Sequence, residues 1–185
     1  MPPGYGPIRQ MGYVVRDIEA AMAQWAERLR IGPWFYNPRL PLTRYSFRGT
    51  EYGGFDMSYA LANSGDMQIE LIQQRCDTPS LYREHLDRHG EGLQHICVWP
   101  EEYDVVFARA CADGLVPAQE GAVGAIRFAY FEDAAHGGTS LEMSEMVSQR
   151  RPGIERIRAA AVDWDGSDPV RPYSFPVLNP GSPAP

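Results

Sequence analysis

A chain of 185 residues and 20.7 kDa, 44% hydrophobic and 22% charged, is large enough for one domain with a full core. No apolar run nears the roughly 20 residues of a membrane span, and Met1-Pro2-Pro3-Gly4 is no signal peptide, so a cytoplasmic protein is expected. A net charge of −7 without a basic cluster argues against a nucleic-acid partner, and with all 17 basic residues arginine, side-chain Schiff-base chemistry is excluded.

In chain order, Ile8 to Val15 reads as a strand. Asp17 is a fair N-cap for a helix that carries Ile18, Ala21, Met22, Trp25 and Leu29 on one face and stops at Gly32-Pro33. Trp34 to Tyr45 is aromatic- and proline-rich, and fits either a strand with a loop over a pocket or a set of core-filling aromatics. Phe55 to Ala62 and Met67 to Gln73 form a hairpin about the turn Asn63-Ser64-Gly65-Asp66. Thr78-Pro79 opens a short helix that ends near His89.

Gly90-Glu91-Gly92 then leads into Leu93-Gln94-His95-Ile96-Cys97-Val98-Trp99, an apolar strand carrying one histidine. A histidine in such surroundings requires a hydrogen bond, a metal or a proton-transfer role. Cys76, Cys97 and Cys111 are odd in number and lack C-x-x-C spacing, which argues against a disulfide framework or a thiolate zinc site. Glu101 to Ala112 repeats the helical pattern. Ile126 to Glu132 and Thr139 to Met146 are strands joined by a turn at Ala134-Ala135-His136-Gly137-Gly138. Pro152 to Trp164 is compatible with a helix, and Gly166 to Pro185 reads as an extended arm, disordered or laid over a partner subunit.

Strand, helix and further strands therefore occur twice. Gln10 and His95 fall at the start of each copy, 85 residues apart, and Glu70 and Glu142 in the last strand of each, 72 apart. The chain divides into a single domain over 7–148, made of modules at about 7–75 and 91–148 with a helix at 78–89 between them, and a C-terminal helix and arm over 149–185.

This doubled layout resembles the vicinal oxygen chelate superfamily, which includes glyoxalase I, methylmalonyl-CoA epimerase, extradiol dioxygenases and fosfomycin-resistance proteins. Ile69-Glu70-Leu71, Asp77-Thr78-Pro79-Ser80 and the run Gly90 to Cys97 look most like the epimerase branch. The resemblance implies an α+β fold in which tandem βαβββ modules form an open mixed-sheet cup. It also implies that Gln10, Glu70, His95 and Glu142 converge there on a divalent metal. Gln10 departs from the histidine usual in epimerases, although some glyoxalase I enzymes carry glutamine at that place. One imidazole, one amide oxygen and two carboxylates suit Zn, Ni, Co, Mn or Mg.

The resemblance further implies a carboxylate base: Glu142, or Glu51 in Glu51-Tyr52-Gly53, where epimerases place a catalytic glutamate. The expected activity is that of a metal-dependent epimerase, isomerase or glyoxalase-type lyase, acting as a homodimer on a small carbonyl substrate such as an acyl-CoA thioester. Arg39, Arg44 and Arg48 are candidates to receive such a thioester at the pocket mouth. A non-catalytic protein that binds an aromatic or apolar ligand through Trp34, Phe35, Tyr36 and Tyr45 is one alternative. An Fe(II) extradiol dioxygenase is another, and it would need two histidines and one carboxylate. His85 and His89, one turn apart on a charged helix, read as solvated, and His136 is assigned no role.

Overall fold

The computed structural model describes residues 4–132 and 138–174. The first module runs β1 (Ile8–Val14), α1 (Ile18–Leu29), β2 (Trp34–Asn37), β3 (Leu42–Phe47), β4 (Thr50–Glu51), β5 (Met57–Ser64) and β6 (Met67–Gln74). After α2 (Leu81–His89), the second module runs β7 (Gly92–Val98), α3 (Tyr103–Ala112), β8 (Pro117–Val123), β9 (Ile126–Phe131) and β10 (Ser140–Ser144). A 3-10 turn (Ser148–Arg150), α4 (Arg151–Ala161) and β11 (Val170–Pro172) follow.

All eleven strands join one mixed sheet in the order β11-β2-β5-β6-β1-β7-β10-β9-β8-β3-β4. The two modules meet where β1 and β7 pair antiparallel, and each first strand pairs parallel with the last strand of its own module. Two βαβββ units related about the β1–β7 seam are thus present, in the α+β cup that the resemblance implies. The hairpin β3–β4 is the exception to the symmetry. It belongs to the first module in sequence, yet β3 adds to β8 at the far edge of the second. Only Pro38 to Pro41 separate β2, beside β11 near one edge of the sheet, from β3, beside β4 near the other, and Leu40 N donates to Met57 O on the way, so the lips of the cup lie close together.

Local chemistry sets these elements. Asp17 caps α1 by accepting from Ala20 N at 2.9 Å, and Ser80 Oγ caps α2 from Arg83 N at 3.1 Å. In the β5–β6 hairpin Ser64 pairs with Met67 across Gly65-Asp66, where Gly65 takes φ +60. Nothing between Gly114 and Ile126 predicts β8, because Pro117 and Gly121 are poor strand residues. Gly121 is tolerated because the Phe128 ring covers it: a Cβ there would lie 2.3 Å from Phe128 Cζ.

Each module's helix packs on the outer face of its own half-sheet. Ile18, Met22 and Ala26 of α1 lie against Trp34, Ala60 and Leu71, and Tyr103 and Ala110 of α3 against Phe131, Leu141 and Met143. Such side chains contribute roughly 1.5–3 kcal/mol each on burial. Inside the cup, Phe35, Tyr45, Phe55, Tyr59, Tyr82 and Tyr130 form a third cluster, which Ile157 of α4 also joins. Trp34, Phe35 and Tyr45 are therefore core residues.

Candidate metal centre

Strand register fixes the positions of the candidate ligands. Gly12 on β1 lies level with Glu70 on β6, and Cys97 on β7 lies level with Glu142 on β10. Gln10 and His95 each precede those levels by two residues and so point to the same face of the sheet. Each follows a bulge. The β1–β7 ladder skips Arg9 on one strand and Gln94 on the other, and these residues are again 85 apart. A bulge re-aims the side chains beside it.

At Gln94 the effect is explicit. Its Oε1 lies 2.9 Å from His95 Nδ1, and its Nε2 donates to Ser140 Oγ at 3.3 Å. With the amide nitrogen committed to Ser140, Oε1 is an acceptor, so His95 Nδ1 carries the proton and Nε2 is directed into the cup. There Nε2 lies 3.2 Å from Glu70 Oε2 and 3.1 Å from Glu142 Oε2. Both contacts fall outside hydrogen-bond angles, leaving His95 Nε2 and Glu142 Oε2 buried without a hydrogen-bond partner among the described residues. Ligand atoms of Glu70, His95 and Glu142 all lie within 4.8 Å of one another. The imidazole reaches this point because residue 12 is glycine: a Cβ there would stand 1.7 Å from His95 Cε1. Tyr130 packs edge-on to the ring at 5.1 Å.

The electrostatics follow from two carboxylates and an imidazole sharing a confined space. Burial alone would lower the His95 pKa, but Glu142 and Glu70 outweigh it and push the metal-free ring up to about 9. Burial holds Glu70 above the ordinary carboxylate range. Burial also opposes ionisation of Glu142, yet His95, Arg150 and Cys97 together hold it below that range. The buried His95 nitrogen and Glu142 carboxylate and the half-buried Glu70 carboxylate converge, and they fit a divalent cation in place of the proton that the metal-free imidazolium carries there.

Gln10 is buried, lines the same cavity and donates from Nε2 to Gln68 Oε1 at 2.8 Å. That leaves its amide oxygen as the ligand atom it has to offer. Glu51 is not brought to the cluster. It lies exposed on β4, the outermost strand beyond β3, and does not line the cavity.

The cavity has a free volume of about 50 Å³, and Met57, Tyr59, Tyr82 and Phe128 are among its walls. Trp34, Phe35, Tyr36 and Tyr45 are absent from it. Arg39 pairs with Asp56, Arg44 with Glu120, and Arg48 with Glu84 and Glu132, and none of the three lines the cavity. The cation that does line it is Arg150, from the C-terminal segment that the sequence pattern sets apart from the modules. Its signal was weak, one arginine in the run Gln149-Arg150-Arg151.

His85 corrects the expectation of a solvated pair. It is buried on the inner side of α2, while His89 is exposed, its ring centroid 5.2 Å away and tilted by 45°. His136 lies outside the described residues, as does the arm from 175 onward. Among the described residues no helix is long and apolar enough to cross a membrane.

The architecture is similar to that of solved proteins. Methylmalonyl-CoA epimerase from Mycobacterium tuberculosis aligns over 82% of this chain and 96% of its own, with a TM-score of 0.56 at 15% identity. The hypothetical protein BH1468 from Bacillus halodurans aligns over 77% and 95%, with a TM-score of 0.52 at 15% identity. A second methylmalonyl-CoA epimerase aligns over 76% and 95%, with a TM-score of 0.50 at 16% identity. At these identities the likeness is one of fold. No curated protein matches the sequence significantly. The model of the glyoxalase/bleomycin resistance protein/dioxygenase superfamily matches residues 9–131, a span that holds Gln10, Glu70 and His95, and the chain belongs to that superfamily.

Proposed function

We propose that this protein is a divalent-metal-dependent enzyme that moves a proton next to a carbonyl, as an isomerase, epimerase or lyase. The observation that carries this reading is the convergence of His95 Nε2 with Glu70 and Glu142, where His95 Nε2 and Glu142 Oε2 are buried and have no hydrogen-bond partner among the described residues. His95, Glu70 and Glu142 would hold the metal, with the Gln10 amide oxygen as fourth ligand. The bound ion would supply Lewis acidity to a substrate oxygen, making the neighbouring C–H more acidic.

The chain's own residues supply the rest. Glu142, held ionised, is the proposed proton acceptor and would act through a carboxylate oxygen not engaged by the ion. Gln94 and Ser140 keep the imidazole in one tautomer and one orientation. Tyr82 donates to the Tyr130 hydroxyl at 2.9 Å, and this buried pair closes the floor beside His95 and keeps bulk water out. With Glu51 at the sheet edge, the carboxylates that flank the β1–β7 seam are Glu70 and Glu142, so any two-base epimerisation would fall to that pair. The donor set differs from the two-histidine, one-carboxylate set of Fe(II) oxygenases.

Deuterium wash-in from D₂O tests the reading. A panel of α-substituted thioesters and hydroxyketones is incubated with the metal-loaded protein. Exchange at the α-carbon, lost in Glu142→Gln, is expected. Substrate-like ligands that bind without any exchange would instead support a binding protein.

A further inference from the structure

Arg150 is 8% exposed and lines the cavity with Glu70, Glu142 and Gln10. It is held firmly. Nη1 donates to Ser144 Oγ at 2.8 Å and to Glu145 O at 3.1 Å, and the guanidinium stacks over the Trp99 ring at 5.1 Å. Ser144 is two residues beyond Glu142 on β10 and faces the same cavity. Nε and Nη2 have no hydrogen-bond partner among the described residues, and no carboxylate there lies within salt-bridge distance. Four arginines elsewhere in the fold are held differently. Arg39, Arg48, Arg75 and Arg127 are all more exposed, and each holds a carboxylate at 3.0 Å or closer. Arg150, buried and so with much to gain from a carboxylate partner, has none within salt-bridge distance among the described residues.

Charge counting gives the unused donors a meaning. Two glutamates neutralise a divalent cation, so a metallated cavity is left with the single positive charge of Arg150. A free N–H edge of a guanidinium accepts a carboxylate through two parallel hydrogen bonds. A free volume of about 50 Å³ suits a small ligand at this end.

We propose that Arg150 is the residue that selects the substrate's charge. Its Nε and Nη2 receive the carboxylate of a small, singly negative carbonyl or hydroxyl compound whose neighbouring oxygen faces Glu70, His95 and Glu142. This deepens the metal-dependent reading and rests on it for the charge count. A specificity residue would thus be contributed by the C-terminal segment, outside both modules.

The test uses glycolate and its neutral counterpart glycolamide, which share size and oxygen spacing. Both are titrated into the full-length protein, Co²⁺-loaded and metal-free, as wild type, Arg150→Gln and Arg150→Lys, with Co²⁺ uptake measured separately. The loaded wild type should prefer glycolate. Arg150→Gln should weaken glycolate by about 10- to 100-fold, to the glycolamide level, with Co²⁺ uptake intact. Arg150→Lys should retain part of the preference. Wild type that does not distinguish the two ligands, or Arg150→Gln that binds glycolate as wild type does, overturns the proposal.

If no variant takes up Co²⁺, the metal reading fails on its own. The metal-free titration then decides for Arg150: a glycolate preference that depends on it sustains the proposal, and none refutes it. Should Arg150→Gln not fold, Ser144→Ala releases the guanidinium instead. It should weaken glycolate about tenfold, and unchanged binding refutes the proposal.

Discussion

In the second module His95 is oriented at Nδ1 by Gln94, itself held by Ser140, and its Nε2 faces the carboxylates of Glu70 and Glu142. In the first module the matching residue, Gln10, is tied to Gln68, the positional equivalent of Ser140, and faces the cavity as a neutral amide. The residues opposite them differ in the same sense. His95 lies across from Gly12, whereas Gln10 lies across from Cys97, and Gly12 and Cys97 are themselves 85 residues apart. An imidazole laid across the partner strand requires a missing side chain there; a glutamine does not. At matched positions the stronger donor, an imidazole, thus lies in the second module and the weaker, an amide, in the first.

Substitution at paired positions should break this comparison unequally. Gly12→Ala puts a methyl group into the His95 ring and is expected to cost about 3 kcal/mol in denaturant unfolding and to abolish metal uptake. The matching change, Cys97→Ala, removes one buried sulfur and should cost about 1 kcal/mol. Equal losses would mean that the halves are not functionally distinct. Next in size, Gln94→Ala frees the imidazole and should lower metal affinity about 10- to 100-fold by calorimetry, with Arg9→Ala, its exposed counterpart, neutral. The smallest effect is coupled. Gln10→His alone should gain nothing, because its ring meets Cys97, whereas Gln10→His with Cys97→Gly should tighten metal binding about tenfold.

Much of this was legible in the residues. The spacing of Gln10 with His95 and of Glu70 with Glu142 is the spacing that the strand register reproduces, because a repeat conserves pairing level as well as pattern. What escaped was set by tertiary context. β8 is stabilised by ladder bonds and by Phe128 over Gly121, not by propensity. The β3–β4 hairpin crosses to the other module, which no local pattern encodes, and it carries Glu51 to the sheet edge. Arg150 joins the cavity through packing of a segment that lies beyond both repeats, and His85 turns inward for the same kind of reason.

The most direct test is a calorimetric titration of chelator-stripped protein with Zn²⁺ or Co²⁺ across pH, for wild type and His95→Ala. The raised His95 pKa stabilises the metal-free fold fully below about pH 6.5. That contribution fades as pH rises through about 9, as thermal unfolding would register. Metal must displace the same proton. The account therefore predicts one ion per chain, release of about one proton at pH 7, an affinity that rises roughly tenfold per pH unit until about pH 9, and no binding in His95→Ala. Absence of stoichiometric binding, or binding that His95→Ala leaves intact, would contradict it.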